Sequence, residues 1–177
     1  MQRGKIQRIV EGISEDYELT VPIDVISLAE KMGMIVKEGD FEDSLSGFAV
    51  RENGVKFIGV NKDHSPVRQR FTVAHEIGHL FLHSQDRVNY DQGSSVVMLR
   101  DGHASEGTDM KEIEANRFAA ELLMPEEDIK GDITLQGGFD LMEEDKEKSS
   151  RFVEKLAKKY NVSTQAMSIR LTTLYFK

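Results

Sequence analysis

Residues 71–83 read FTVAHEIGHLFLH. His75 and His79 are four apart, with Glu76 directly after the first. On a helix, side chains at i and i+4 point the same way, one turn apart. Both imidazoles could therefore reach one zinc ion at about 2.0–2.1 Å, while the carboxylate beside them reaches a water on the same ion. His83 is too far along to join them, at about 12 Å from His75 on a straight helix.

The residues around this trio say where it must sit. At 100° per residue, Val67, Phe71, Ala74, Gly78 and Leu82 share one face, and Val73, Ile77 and Leu80 share another. The helix is apolar nearly all round, so it is read as buried. Its polar groups converge in the remaining sector, and buried polar groups need partners. A metal ion is one such partner. Hydrogen-bonded core histidines are the plainer alternative.

A third ligand must come from another element. The helix expected over about Met110–Met124 offers Glu112, Glu114 and Glu121. Asp109 followed by Glu112 fits a capping box, which would occupy Glu112 at the helix start. Glu114 lies at the edge of the stripe Ala115, Phe118, Leu122. Glu121 lies on the same edge one to two turns on, where a carboxylate is usually solvated. Periodicity places Glu114 ahead of Glu121 without deciding between them.

HEIGH, followed 35 residues after His79 by EANRFAAELLMP, resembles the ImmA/IrrE family of metallopeptidases. The approach segment LSGFAV…IGVN…RQRFTVAHEIGHLFLH is similar to it too, and the likeness covers roughly residues 20–127. It implies that Glu114, the Glu of the EAN triplet, is the third zinc ligand beside His75 and His79. Asn116, Phe118 and the LLMP ending belong to the same pattern and are read as packing and helix termination. Two imidazoles and one carboxylate would leave zinc a fourth position for water, with Glu76 as the catalytic base that takes the proton and passes it to the leaving amine. Manganese or another divalent ion would also suit a His/His/Glu set. Tyr90, His83, His103 and Arg70 are the candidates for a second donor to the oxyanion.

The elements that position these residues follow from local signals. Residues 2–12 and PIDVISLAEKMGM read as helices, the second with Pro22 in its first turn and an end near Gly33. IVKEG reads as a strand. LSGFAV and VKFIGV flank RENG, where Asn53-Gly54 marks a two-residue hairpin. Ser65 and Pro66 open the histidine-bearing helix. Residues 84–108 read as loop with a strand at SVVML. The expected fold is α+β: a small twisted sheet packed against the zincin-type helix and further helices. The expected organisation is a peptidase domain over 1–127, an acidic linker over 128–149 and a helical tail over 150–177.

The tail, FVEKLAKKYNVSTQAMSIRLTTLYF, has the apolar spacing of a helix-turn-helix, with Asn161 in the turn and Ser163 capping the second helix. A DNA-reading second helix should be basic, yet this one carries only Arg170. DNA binding by the tail is therefore not favoured. Residues 150–177 carry six basic and one acidic residue, a net of +5, against −13 for the rest of a chain whose total is −8. An acidic body opposes broad adhesion to nucleic acid. There is no cysteine, so no thiolate metal site and no disulfide, and no run of apolar residues long enough for a membrane span. The expected location is cytoplasmic. The resemblance implies a helix-turn-helix repressor as the protein substrate, cut to release genes of mobile elements or stress responses. The alternative is a DNA- or protein-binding regulator with a structural or vestigial metal site.

Overall fold

The computed structural model describes residues 3–42, 44–83, 88–91, 106–135 and 146–175. Their order is α1 (Arg3–Asp16), α2 (Val25–Lys31), β1 (Met34–Gly39), β2 (Gly47–Glu52), β3 (Val55–Asn61), α3 (Pro66–Leu82), β4 (Val88–Asp91), α4 (Glu106–Leu123), α5 (Glu126–Leu135), α6 (Lys146–Tyr160) and α7 (Thr164–Tyr175). The fold is α+β, as expected. The strand suggested at SVVML lies outside the described residues.

The sheet order is β1-β3-β2-β4. β2 and β3 form the anticipated hairpin. Asn53 and Gly54 both have positive φ, 51° and 82°, as a two-residue turn of the favoured hand requires. β1 runs parallel to β3, with Ile35 opposite Phe57, and β4 runs antiparallel to β2, with Tyr90 opposite Phe48. One face of the sheet, carrying Met34, Ala49, Ile58 and Val60, is buried and packs against α3. The approach is close at Gly47, where a Cβ would collide with the Thr72 methyl on α3 and stand 2.7 Å from the Gly59 carbonyl.

α3 starts where the sequence indicates, with Ser65 at the N-cap and Pro66 first in the helix. α2 starts later than expected. Asp24 caps it, its carboxylate accepting from the Ser27 N–H at 3.0 Å, so Pro22 lies before the helix rather than in its first turn. α2 ends at Lys31, and Gly33 takes φ +74° just beyond.

The 128–149 stretch is not simply a linker. Pro125 ends α4, but its carbonyl accepts from the Ile129 N–H and a ten-residue helix, α5, begins at once. Glu126, Glu127 and Asp128 in its first turn suit the positive end of the helix dipole. Ile129 and Ile133, four apart, are buried in the core. α6 then starts at Lys146, four residues before the expected tail.

The tail forms its two helices, with Asn161 at φ +51° in the turn and Ser163 Oγ accepting from the Ala166 N–H at 3.1 Å. Leu156, Ala157, Tyr160, Val162, Met167, Leu171 and Leu174 join the same hydrophobic cluster as the sheet, α1, α3 and α4. Polar contacts add to this. Arg170 of α7 donates to both Glu121 oxygens at 2.9 and 2.5 Å and to the Met124 carbonyl at 2.9 Å. Tyr160 donates to Asp132 of α5 at 2.8 Å, and Lys159 pairs with the same carboxylate. Burial first, and then the bond to Asp132, push the Tyr160 phenol up, so it stays protonated as a donor. No helix among the described residues is long and apolar enough to cross a membrane.

Candidate metal centre

α3 is buried along its middle, from Thr72 to Leu80 without a break. The sheet covers one side and α4 another. The helices come close at Gly78, the glycine of HEIGH. A Cβ there would stand 3.1 Å from Phe118 Cβ and Cδ1 of α4. The absence of a side chain at this position lets α4 bring its own polar groups up to the histidines.

His75 and His79 are each 2% exposed and Glu76 is fully buried. The two Nε2 atoms are 3.0 Å apart, and the ring planes stand at 72° with centroids 4.6 Å apart. Glu112 of α4 completes the cluster. Its Oε2 lies 3.2 Å from His75 Nε2 and its Oε1 3.1 Å from His79 Nε2. Among the described residues these three side chains are the group whose ligand atoms converge.

The carboxylate in this cluster belongs to Glu112, not to Glu114, the residue that the resemblance implied. Glu112 and Glu114 are two residues apart on one helix, about 200° around its axis, so they cannot both face the same pair of rings. α4 begins at Glu106, which puts Glu112 in the second turn rather than at a capping position, and turns it toward α3. The Glu114 carboxylate lies instead by His83, 3.8 Å from its Nε2.

The other candidates are also placed. Glu121 is buried and pairs with Arg170. His83 sits at the end of α3, its Nε2 3.3 Å from the Lys111 carbonyl. Arg70 is on the far half of α3 and donates to the carbonyls of Ile23 and Asn161, at 2.8 and 3.1 Å. This cross-link engages the guanidinium with the α1–α2 connection and the tail turn. Tyr90 contributes its backbone to β4, and its side chain lies outside the described residues, as does His103. Asn116, read from the sequence as a packing residue, has its Oδ1 3.0 Å from His75 Nδ1. Its position four residues after Glu112 is the signal that could have found it.

The donor set fits a small divalent cation. A tetrahedral site with 2.0–2.1 Å bonds to nitrogen and oxygen has its ligand atoms about 3.3 Å apart. Here the two Nε2 atoms are 3.0 Å apart, and each has a different oxygen of the Glu112 carboxylate within 3.1 to 3.2 Å, a spacing close to that one. Burial pushes the Glu112 carboxyl up, but hydrogen bonds to His75 and His79 and their charges outweigh it and hold it at about 2. The carboxylate is therefore ionised at neutral pH, as a ligand must be.

Residues 29–172 match the family model Peptidase M78, the IrrE N-terminal-like domain. The chain belongs to this ImmA/IrrE family. Membership in Peptidase M78 places it among metallopeptidases, and the matched span includes both the histidine pair and the two tail helices. This M78 member is similar to a protein of Bacillus phage phi105 called "Uncharacterized immunity region protein 2", with 25% identity over 121 residues, 68% of this chain and 69% of that one. In fold it resembles a solved Mycobacterium tuberculosis transcriptional regulator, at a TM-score of 0.65 and 16% identity over 97% of this chain. The chain spans about half the length of that regulator, 48%.

Proposed function

We propose that this M78 member is a zinc-dependent endopeptidase whose substrate is a helix-turn-helix transcriptional repressor. The observation that carries the reading is the convergence of His75, His79 and Glu112, with Glu76 lying between the two histidines on α3. These three residues would hold the metal. What supports Glu112 over Glu114 is its distance to both rings. Zinc bound there would supply Lewis acidity and lower the pKa of a water to about 7; another divalent ion could occupy the same donors.

The chain's own part is proton handling and exclusion of solvent. Glu76 follows His75 by one residue, so its carboxylate is offset from the ligand row by about 100° and remains a base rather than a ligand. It would take the proton from the attacking water and deliver it to the leaving amine. A structural metal site would give Glu76 no such role.

The printed name of the phage relative, an immunity region protein, and that of the regulator sharing the fold both favour a substrate in gene control. The tail favours protein over DNA: Arg170, the basic residue of α7, is turned inward onto Glu121 and is 4% exposed. To test the reading, zinc-loaded protein is mixed with the helix-turn-helix repressor encoded beside its gene and the products are weighed by mass spectrometry. The expected result is a discrete cut by the wild type and none by Glu76→Gln, with zinc retained in both. Equal cleavage by the variant would refute the mechanism.

A further inference from the structure

α1, the chain between α1 and α2, and the junction of α4 with α5 line a cavity of about 490 Å³. Its floor is apolar, with Val10, Leu19, Val21 and Pro125 buried or half-buried there. Six carboxylates surround that floor: Glu11 and Glu15 on α1, Glu121 at the end of α4, and Glu126, Glu127 and Asp128 in the first turn of α5. Among the described residues of the lining Lys159 is the basic one, and it pairs with Asp132. Half of the carboxylates are committed within the molecule. Glu121 holds Arg170, and Glu126 and Glu127 share Lys130. Glu11, Glu15 and Asp128 are exposed and have no cation partner among the described residues. A metal ion does not suit this lining, because among the described residues only the histidine cluster brings three ligand atoms within 4.8 Å of one another. Long cationic side chains do suit it. Lys and Arg carry an apolar stem and a charged head, which match an apolar floor under a carboxylate rim.

We propose that this cavity docks the basic, DNA-contacting helix of the repressor, with its Lys and Arg side chains laid into the carboxylate rim. The inference rests on the substrate class proposed above. A helix that reads DNA carries basic side chains outward to phosphates and base edges. The cavity offers those side chains carboxylates in place of phosphates. The net charge of −13 over residues 1–149 adds a long-range attraction that speeds the encounter. The cavity is also within reach of the metal centre. Glu121 follows Glu112 on α4 by about 14 Å along the axis, a span that about four extended residues cover. One repressor could therefore be held at the cavity and enter the centre with a neighbouring segment. A consequence follows for regulation. The helix cannot meet DNA and this cavity at once, so the protein takes free repressor, and DNA shields the bound form.

The test measures binding of the fluorescently labelled repressor encoded beside the gene to the full chain carrying Glu76→Gln, by fluorescence anisotropy. Adding Glu11→Lys with Glu15→Lys should weaken binding about tenfold or more, since an exposed ion pair is worth up to about fivefold and reversal turns two attractions into repulsions. Glu38→Lys with Glu52→Lys makes the same change of charge at exposed positions on the sheet, and should alter binding by less than about threefold. Excess duplex carrying the repressor's binding site should displace the protein from the repressor. This competition needs no cavity variant, so no folding defect can confuse it. Three results would overturn the proposal: no complex, an equal effect of the two charge reversals, or a ternary complex with DNA. Cleavage by the wild type is scored separately. Cutting that ignores Glu11 and Glu15 removes the docking site alone, whereas docking through them without cutting removes the peptidase reading alone.

Discussion

Arg170→Met is expected to destabilise the whole molecule rather than loosen its tail. The guanidinium is 4% exposed and donates to two carboxylate oxygens and one main-chain carbonyl. Methionine keeps the apolar stem and removes all three bonds, leaving the Glu121 carboxyl buried without its arginine partner. Breaking one side of a buried pair costs about 3–5 kcal/mol, because the remaining charge has lost its compensation. Against a typical total stability of about 5–15 kcal/mol this is a large share. For a chain of this size it corresponds to a fall in Tm of very roughly 6–20 °C. Replacing both partners, Glu121→Leu with Arg170→Met, should recover most of the loss, since no charge is left stranded. The assay is urea unfolding of the four corners of a double-mutant cycle, followed by far-ultraviolet circular dichroism. A single cooperative transition is expected throughout, because α6 and α7 share the core cluster with α3 and α4. A loss below about 1 kcal/mol for Arg170→Met, or a separate early transition, would show that the tail does not depend on this pair.

Three further substitutions test the site. Glu112→Ala should abolish tight zinc binding in a competition titration with a chromogenic chelator, while Glu114→Ala should change it by less than about tenfold; the reverse order would restore Glu114 as the ligand. Gly78→Ala gains about 1 kcal/mol of helix propensity. It also forces a methyl to 3.1 Å from a fully buried Phe118, an overpacking cost of about 1–3 kcal/mol, so a lower urea midpoint is expected.

What could be read from the sequence was what neighbouring residues decide among themselves. The hairpin at Asn53-Gly54 and the start of α3 at Ser65-Pro66 depend on backbone preferences within a few positions, and both are as expected. The pairing of His75 with His79 is likewise a property of one helix. The third carboxylate is not. Whether Glu112 or Glu114 meets the histidines depends on the rotation of α4 about its axis, which packing against α3 at Gly78 and Phe118 fixes. Reading Asp109–Glu112 as a capping box starts the helix at Met110, four residues after its start at Glu106, and assigns Glu112 to the helix terminus. The linker reading of 128–149 had a similar cause. Pro125 was a true helix end, but the acidic turn and the Ile129–Ile133 spacing after it were the signals of another helix.

Several arginine hydrogen bonds share one property. Arg51 donates to the Leu80 carbonyl, Arg70 to those of Ile23 and Asn161, and Arg170 to that of Met124. In each of these bonds the acceptor is main chain, although Arg170 also holds the Glu121 carboxylate, and every residue type carries that same carbonyl oxygen. Such a bond constrains the identity of one position and only the backbone path of the other. The acceptor segments are therefore free to drift in sequence as long as their course is kept. Molecules joined this way can diverge far in composition while the sheet, the metal-bearing helices and the tail stay in the same relation.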